Sequence, residues 1–240
     1  MSTLIKIIVS TILSFMLLSC NFSIHSGIEG NGNVTTEDRP INAPFSTIKA
    51  SQGLDVYLTQ SHEEGIRVET DENLQELILT EISDGVLNIH LKENIGGSKS
   101  KKITVRFKSI SEVISSSGSD VYSTNTISVE TLHLKSSSGS DMELDVNTQK
   151  LSCKSSSGSD IKVSGKTINL SAESSSGSAI KAADLFAEST EAKASSGSDI
   201  IVNTSKSLIA KASSGGDVKY YGNPEKVEKS NNPSGTIKQK

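Results

Sequence analysis

The sequence predicts an all-β fold: a right-handed parallel β-helix or β-solenoid with coils of about 19–20 residues, capped by a β-rich N-terminal region. Three observations lead there. A hexapeptide recurs, reading SSSGSD at 115–120, 136–141 and 155–160, SSSGSA at 174–179, ASSGSD at 194–199 and ASSGGD at 212–217. Its glycines, Gly118, Gly139, Gly158, Gly177, Gly197 and Gly215, are separated by 21, 19, 19, 20 and 18 residues, the spacing of one structural unit stacked on itself. Around them apolar and polar residues alternate: Met142 and Leu144 follow Gly139, Ile161 and Val163 follow Gly158, and Leu132 and Leu134 precede Gly139. A period of two is strand with one face in water and excludes a helical repeat. Finally, 34% hydrophobic residues with no Trp, four Tyr and five Phe allow only a thin core of small side chains.

Taken in order, residues 1–19 read as a lipoprotein signal peptide, with Lys6, an apolar run at 7–18 too short for a comfortable membrane span, and a small residue at Ser19. Leu17-Leu18-Ser19-Cys20 looks like a bacterial lipobox, in which Cys20 is cleaved free and acylated. Cys153 is then the one remaining thiol, so a mature monomer holds no internal disulfide. Several acyl chains, each contributing about 0.8 kcal/mol per buried methylene, make a stable membrane anchor. Residues 20–33, rich in Gly, Ser and Asn, read as the lipidated Cys and a tether.

Residues 34–110 read as the β-rich cap. Ile48, Ala50, Asp55, Val56 and Leu58 around Gly53 fit the repeat as one degenerate coil; 66–69, 86–91 and 103–107 alternate as strands, and Asp84-Gly85 is a hairpin-type turn. Residues 71–79 suit a short helix capped by Asp71. Residues 111–222 form the regular coils, with two or three strands each, and 223–240 a terminal cap and polar, frayed tail. Each glycine marks a corner where a side chain would obstruct the turn. Parity from Leu134 points Ser136 and Ser138 inward, with Ala194 and Ala212 replacing serine in the first column; a solvent-exposed loop is the alternative. Asp120, Asp141, Asp160, Asp199 and Asp217 stand two after the glycines, broken by Ala179. With the glycines they form a structural turn column. The carboxylates either cap their corners or bind calcium; one Asp per coil and the break at Ala179 favour capping, so neither metal nor cofactor is expected.

Gly30-Asn31-Gly32-Asn33-Val34, Phe45 with Ile48, Gly53-Leu54-Asp55-Val56-Tyr57-Leu58, Asp71-Glu72-Asn73-Leu74 and the recurring Ser-Gly-Ser-Asp-Ile occur in an order and spacing that resemble the putative auto-transporter adhesin, head GIN domain family of bacterial envelope proteins, over residues 30 to 235. The resemblance implies a β-helical, non-enzymatic envelope protein and transfers no binding residue.

Charge and residue distribution bound the function. With 24 basic and 28 acidic side chains the net charge is −4, against a nucleic-acid partner. A lipid-anchored structural or adhesive rod, meeting a glycan or another cell-surface ligand, is one expectation; a carbohydrate-active β-helix lyase or hydrolase is the alternative. An enzyme needs clustered acids and bases, whereas here the acids are spread one per coil. His133 reads as a surface residue, and Tyr220 and Tyr221 as capping the last coil. The expected location is the bacterial outer membrane, on either face.

Overall fold

Alternation of inward apolar and outward polar side chains builds strand along most of the described residues. The structure, a computed structural model, describes residues 27–232 and 234–240; the signal segment and Cys20 lie outside the described residues. In chain order come β1 (Val34–Arg39), β2 (Thr47–Ala50), β3 (Asp55–Gln60), β4 (Gly65–Asp71), a 3₁₀ helix at Glu72–Leu77, β5 (Ile78–Ser83), β6 (Val86–Leu91) and β7 (Lys101–Phe107). The regular coils follow as β8 (Glu112–Ser116), β9 (Asp120–Ser123), β10 (Ile127–Ser137), β11 (Asp141–Ser156), β12 (Asp160–Ser175), β13 (Ala179–Ala194), β14 (Asp199–Ala212) and β15 (Asp217–Tyr221), then β16 (Lys226–Asn231) and β17 (Thr236–Gln239). Together they make a β-solenoid of about seven turns.

From β8 onward the stacking is parallel and in register, Leu134 on Cys153, Cys153 on Ala172, Ala172 on Ala192 and Ala192 on Ala210. All five are fully buried, so this column narrows from Leu to Ala along the rod. Burial pushes the Cys153 thiol up to about 12, which makes it a small inert hydrophobe. Each of β11, β12 and β13 is a single 16-residue strand wrapped round the coil rather than two or three separate strands. The bend shows where alternation skips: Gln149 and Lys150 are both exposed between buried Thr148 and Leu151.

The N-terminal half builds its coils out of sequence order. β2 and β3 form the degenerate coil, pairing on one side with β8 and β9 (Ile48 on Val113, Val56 on Val121). On the other side they pair with β6 and β7 (Ile48 on Leu87, Val56 on Ile103), which are later in sequence. β4 lies antiparallel to β1 and β7, and β5 antiparallel to β6 through the Asp84-Gly85 turn, where both residues have positive φ. These antiparallel strands cover this end of the solenoid, where an unpaired edge would invite aggregation.

Four expectations are corrected. Residues 27–33 are not a free tether: Ile28 N–H donates to the Asn94 carbonyl (2.9 Å) and Gly30 N–H to the Gly97 carbonyl (2.7 Å). Their glycines serve contact, since a Cβ on Gly30 would lie 2.7 Å from the Asp71 carboxyl. Asp71 does not cap the 3₁₀ helix; its carboxylate accepts N–H groups of Gly32 and Lys99. Burial opposes its charge, but these backbone donors prevail and hold its pKa below the usual range. Nor is the polar end frayed: β16 pairs with β14 and β17 with β15, because a parallel ladder needs backbone partners rather than apolar sequence. Finally, a Cβ on Gly118, Gly139, Gly158, Gly177 or Gly197 would meet nothing within 4 Å. Glycine is favoured there by its φ, 68–77° over the six columnar positions, and not by lack of room.

Candidate functional site

The repeated corner sets every outward column, so its geometry comes first. Ser138 and Gly139 both adopt positive φ (58° and 68°), as do the serine-glycine pairs of the other coils. Two left-handed residues in succession consume two positions without returning the chain to the interior. Ser138 is therefore exposed, correcting the simple parity reading, and the second inward hydroxyl belongs to Ser140. Ser136 Oγ donates to the Ser140 carbonyl (2.8 Å), and Ser140 Oγ donates to the Ser137 carbonyl (2.9 Å). The same clip recurs at Ser115/Ser119, Ser155/Ser159 and Ser174/Ser178. Along the rod, Gly139 N–H donates to the Ser157 carbonyl and Gly158 N–H to the Ser176 carbonyl, both at 3.1 Å, so the corners form their own ladder. The buried hydroxyls are thus satisfied by the bend itself.

Beyond each corner stands the Asp column. Asp55, Asp120, Asp141 and Asp160 lie in register on successive coils, Ala179 interrupts, and Asp199 and Asp217 resume. Among the described residues none of these carboxylates accepts a bond from its own corner. Asp141 Oδ1 accepts the Asp160 N–H (3.3 Å), Asp160 accepts Lys181 Nζ (2.6 Å) and Asp199 accepts Lys219 Nζ (3.3 Å). Capping is therefore replaced by bonding to the next coil. Burial, then the charges of Asp141 and Asp55, push the Asp120 pKa above its ordinary value. Among the described residues no three His, Cys, Asp or Glu side chains gather as a metal site.

Two residues further on, Tyr57 and Tyr122 are brought together from 65 positions apart, ring centroids 5.3 Å, stacked, with Lys102 Nζ 4.8 Å from the centre of Tyr57. Their register through β3 and β9 was implicit once Asp55 was aligned with Asp120, but the pair is visible only when coils are superposed. The two rings pack on each other, and Lys102 lies against Tyr57.

On the strands before each corner, a groove of about 590 Å³ runs along the rod between lysines and serines, including Lys135, Lys154, Ser137 and Ser156. Its lysines are engaged with acids, Lys135 with Glu112 (2.7 Å) and Lys154 with Glu173 (3.0 Å). Exposed His133 lines a neighbouring groove with Lys150, Ser152, Asn169 and Glu191. The Asp column borders neither groove. Neither tyrosine caps the last coil as expected: Tyr220 is buried because β17 stacks on β15 above it, with Lys229 Nζ 4.9 Å from its ring, and Tyr221 is 40% exposed and turned outward.

The family described as putative auto-transporter adhesin, head GIN domain, matches residues 44–224. Among solved structures, a putative adhesin from Bacteroides fragilis NCTC 9343 superposes with a TM-score of 0.83 at 24% identity, over 89% of this chain and 100% of that one. A putative lipid binding protein from Parabacteroides distasonis ATCC 8503 gives 0.72 at 23%, over 90% and 100%. A putative adhesin from Parabacteroides merdae ATCC 43184 gives 0.72 at 19%, over 90% and 100%. At these identities the likeness is one of fold. No curated protein matches the sequence.

Proposed function

The chain belongs to the putative auto-transporter adhesin, head GIN domain family, and from that premise we propose that it is a non-enzymatic envelope protein, anchored in the bacterial outer membrane through acylated Cys20, whose solenoid meets a surface ligand. The observation that carries this reading is the in-register stacking of outward columns on successive coils, which turns a short sequence repeat into a long, stiff, periodic surface. Such a surface suits extended ligands and needs no moving part. The lipobox residues Leu17-Leu18-Ser19-Cys20 support the anchor, and the net charge of −4 speaks for a partner other than nucleic acid. A hydrolase or lyase would need paired carboxylates in a cleft; the Asp column stands outside the grooves along the strands, and the acids that line them, Glu191 and Glu173, are each held by a lysine.

The test is protease shaving of intact cells with immunoblotting, alongside Cys20→Ser. The variant is expected to leave the membrane fraction while melting as the parent does, because acylation adds no contact within the coils. Retention of Cys20→Ser in detergent-extracted membranes would remove the anchor from this reading. Digestion on intact cells is expected of an adhesive surface protein; full protection would place the rod on the periplasmic face and overturn the adhesive role.

A further inference from the structure

Outward positions of this solenoid are mostly polar, and Phe186 on β13 breaks that rule at 68% exposure. Backbone register places it in a column. Asn147 pairs with Lys166, Lys166 with Phe186, Phe186 with Asn203 and Asn203 with Tyr221. Two exposed aromatic side chains therefore stand two coils apart with an amide between them. The adjoining positions Gln149, Ile168, Glu188 and Ser205 line, with Asn147, Lys166, Phe186 and Asn203, a groove of about 450 Å³.

The position is rigidly held. A register shift between Ala182 and Phe186 marks a bulge in β13 against β14, and Asn203 Nδ2 donates to the Ala183 carbonyl (3.3 Å) within that bulge. After Tyr221 the chain passes so close to β14 that a Cβ on Gly222 would lie 2.2 Å from the Thr204 carbonyl oxygen. Polar groups on the β11–β12 side of Phe186 are uncommitted: among the described residues, the side chains of Asn147, Gln149 and Lys166 have no hydrogen-bond or ion-pair partner, although Lys206 holds Glu188 at 2.6 Å.

Two separated rings and Ile168, rimmed by amides, a hydroxyl, the unpaired Lys166 and an ion pair, are too small an apolar surface for a protein interface and too polar for a lipid one. They match a pyranose, whose C–H face stacks on an aromatic ring while its equatorial hydroxyls bond amide groups. Coil spacing sets the ligand's shape as well. Two coils at about 4.8 Å each separate the Phe186 and Tyr221 positions by about 10 Å along the rod, close to the length of two sugars in an extended β-linked chain. We infer that this groove, continued past Asn203 along the column to Tyr221, binds a linear polysaccharide laid along the rod axis, with Phe186 and Tyr221 as stacking platforms, Asn203 bonding the sugar between them, and Gln149 bonding the chain where it runs on past Phe186 toward β11. The inference rests on the reading of the rod as a ligand-binding surface and names the ligand class.

Affinity electrophoresis of the mature chain through gels containing hydroxyethylcellulose, glycol chitin or xylan tests it. Retardation by at least one polymer is expected, weakened tenfold or more in Phe186→Ala, weakened less in Tyr221→Ala, and restored in Phe186→Tyr. Melting temperatures should be unchanged, since Phe186 contributes little to the core. No retardation by any polymer, or retardation that both alanine variants retain, would overturn the site. Adhesion of whole cells carrying Phe186→Ala separates the two readings. Adhesion lost together with polymer binding supports the site, and adhesion kept when polymer binding is lost or never seen overturns this ligand while leaving the adhesive rod standing.

Discussion

Val163 and Lys162 are neighbours in sequence and opposites in environment. Val163 is 1% exposed inside β12, while Lys162 faces water and pairs with Glu143 at 2.7 Å. Val163→Asp would bury a charge with no partner in an apolar column, at a cost of several kcal/mol. Lys162→Asp removes a solvent-screened surface ion pair and sets two acids side by side in water, a far smaller loss. A large loss of melting temperature in the first variant and a small one in the second is the expected result; equal losses would contradict the register. At this scale the sequence was readable for the inward apolar residues, because a period of two admits one assignment. It misled at Ser138, where two left-handed residues break the period, and at the Gly column, where position was legible and cause was not: the corner has room for a Cβ, and the constraint is the sign of φ.

Corners and ladders belong to the scale of the element. Removing Ser155 Oγ takes one partner each from the buried Ser159 carbonyl and hydroxyl, at 2.7 and 2.9 Å, while the Ala179 N–H and the Ser156 backbone still bond them, so Ser155→Ala should cost about 0.5–1.5 kcal/mol by denaturant melting. The chain itself supplies the double replacement, since Ala212 and Gly216 stand where the two serines stand in other coils. A Ser155→Ala, Ser159→Ala cycle should accordingly show coupling between the two hydroxyls; strict additivity would deny the clip. The Asp ladder makes an opposite kind of claim. Burial and its neighbours Asp141 and Asp55 raise the folded pKa of Asp120, so its ionised form costs stability above that pKa, and the cost disappears as pH falls through the folded and then the unfolded value. Asp120→Asn should therefore be more stable than the parent at neutral pH, by about 0.2–1 kcal/mol on the scale of a like-charge cross-strand pair. The gap should close below about pH 4. A variant less stable than the parent at neutral pH would show that Asp120 contributes a bond worth more than its repulsion. The Asp spacing was legible as a column, but its bonding was not, because the choice between the carboxylate's own corner and the next coil depends on side-chain direction.

For the molecule as a whole, the repeat revealed the solenoid but not how it starts and ends. The inverted order at the N-terminal end, where β6 and β7 slide beneath β2 and β3, rests on pairings between segments that share no motif. The far end depends on one residue that composition alone hides. Lys229 lies in register with Ala210, at the top of the column that runs from Leu134 through Cys153, Ala172 and Ala192. A charged residue in a core column closes the stack: its ammonium lies over Tyr220 at 4.9 Å, and another coil placed on top would have to bury it. Half-buried Ile237 and exposed Val227 in the same final coil would otherwise offer a second rod an apolar end to stack upon. Lys229→Leu should leave the monomer folded and convert this end into an association surface, raising the weight-average mass with concentration in sedimentation equilibrium. Lys229→Glu, which keeps a charge in the column, should remain monomeric. If Lys229→Leu stays monomeric at concentrations where its mass should have doubled, the rod is terminated by its unpaired backbone edge and not by the lysine.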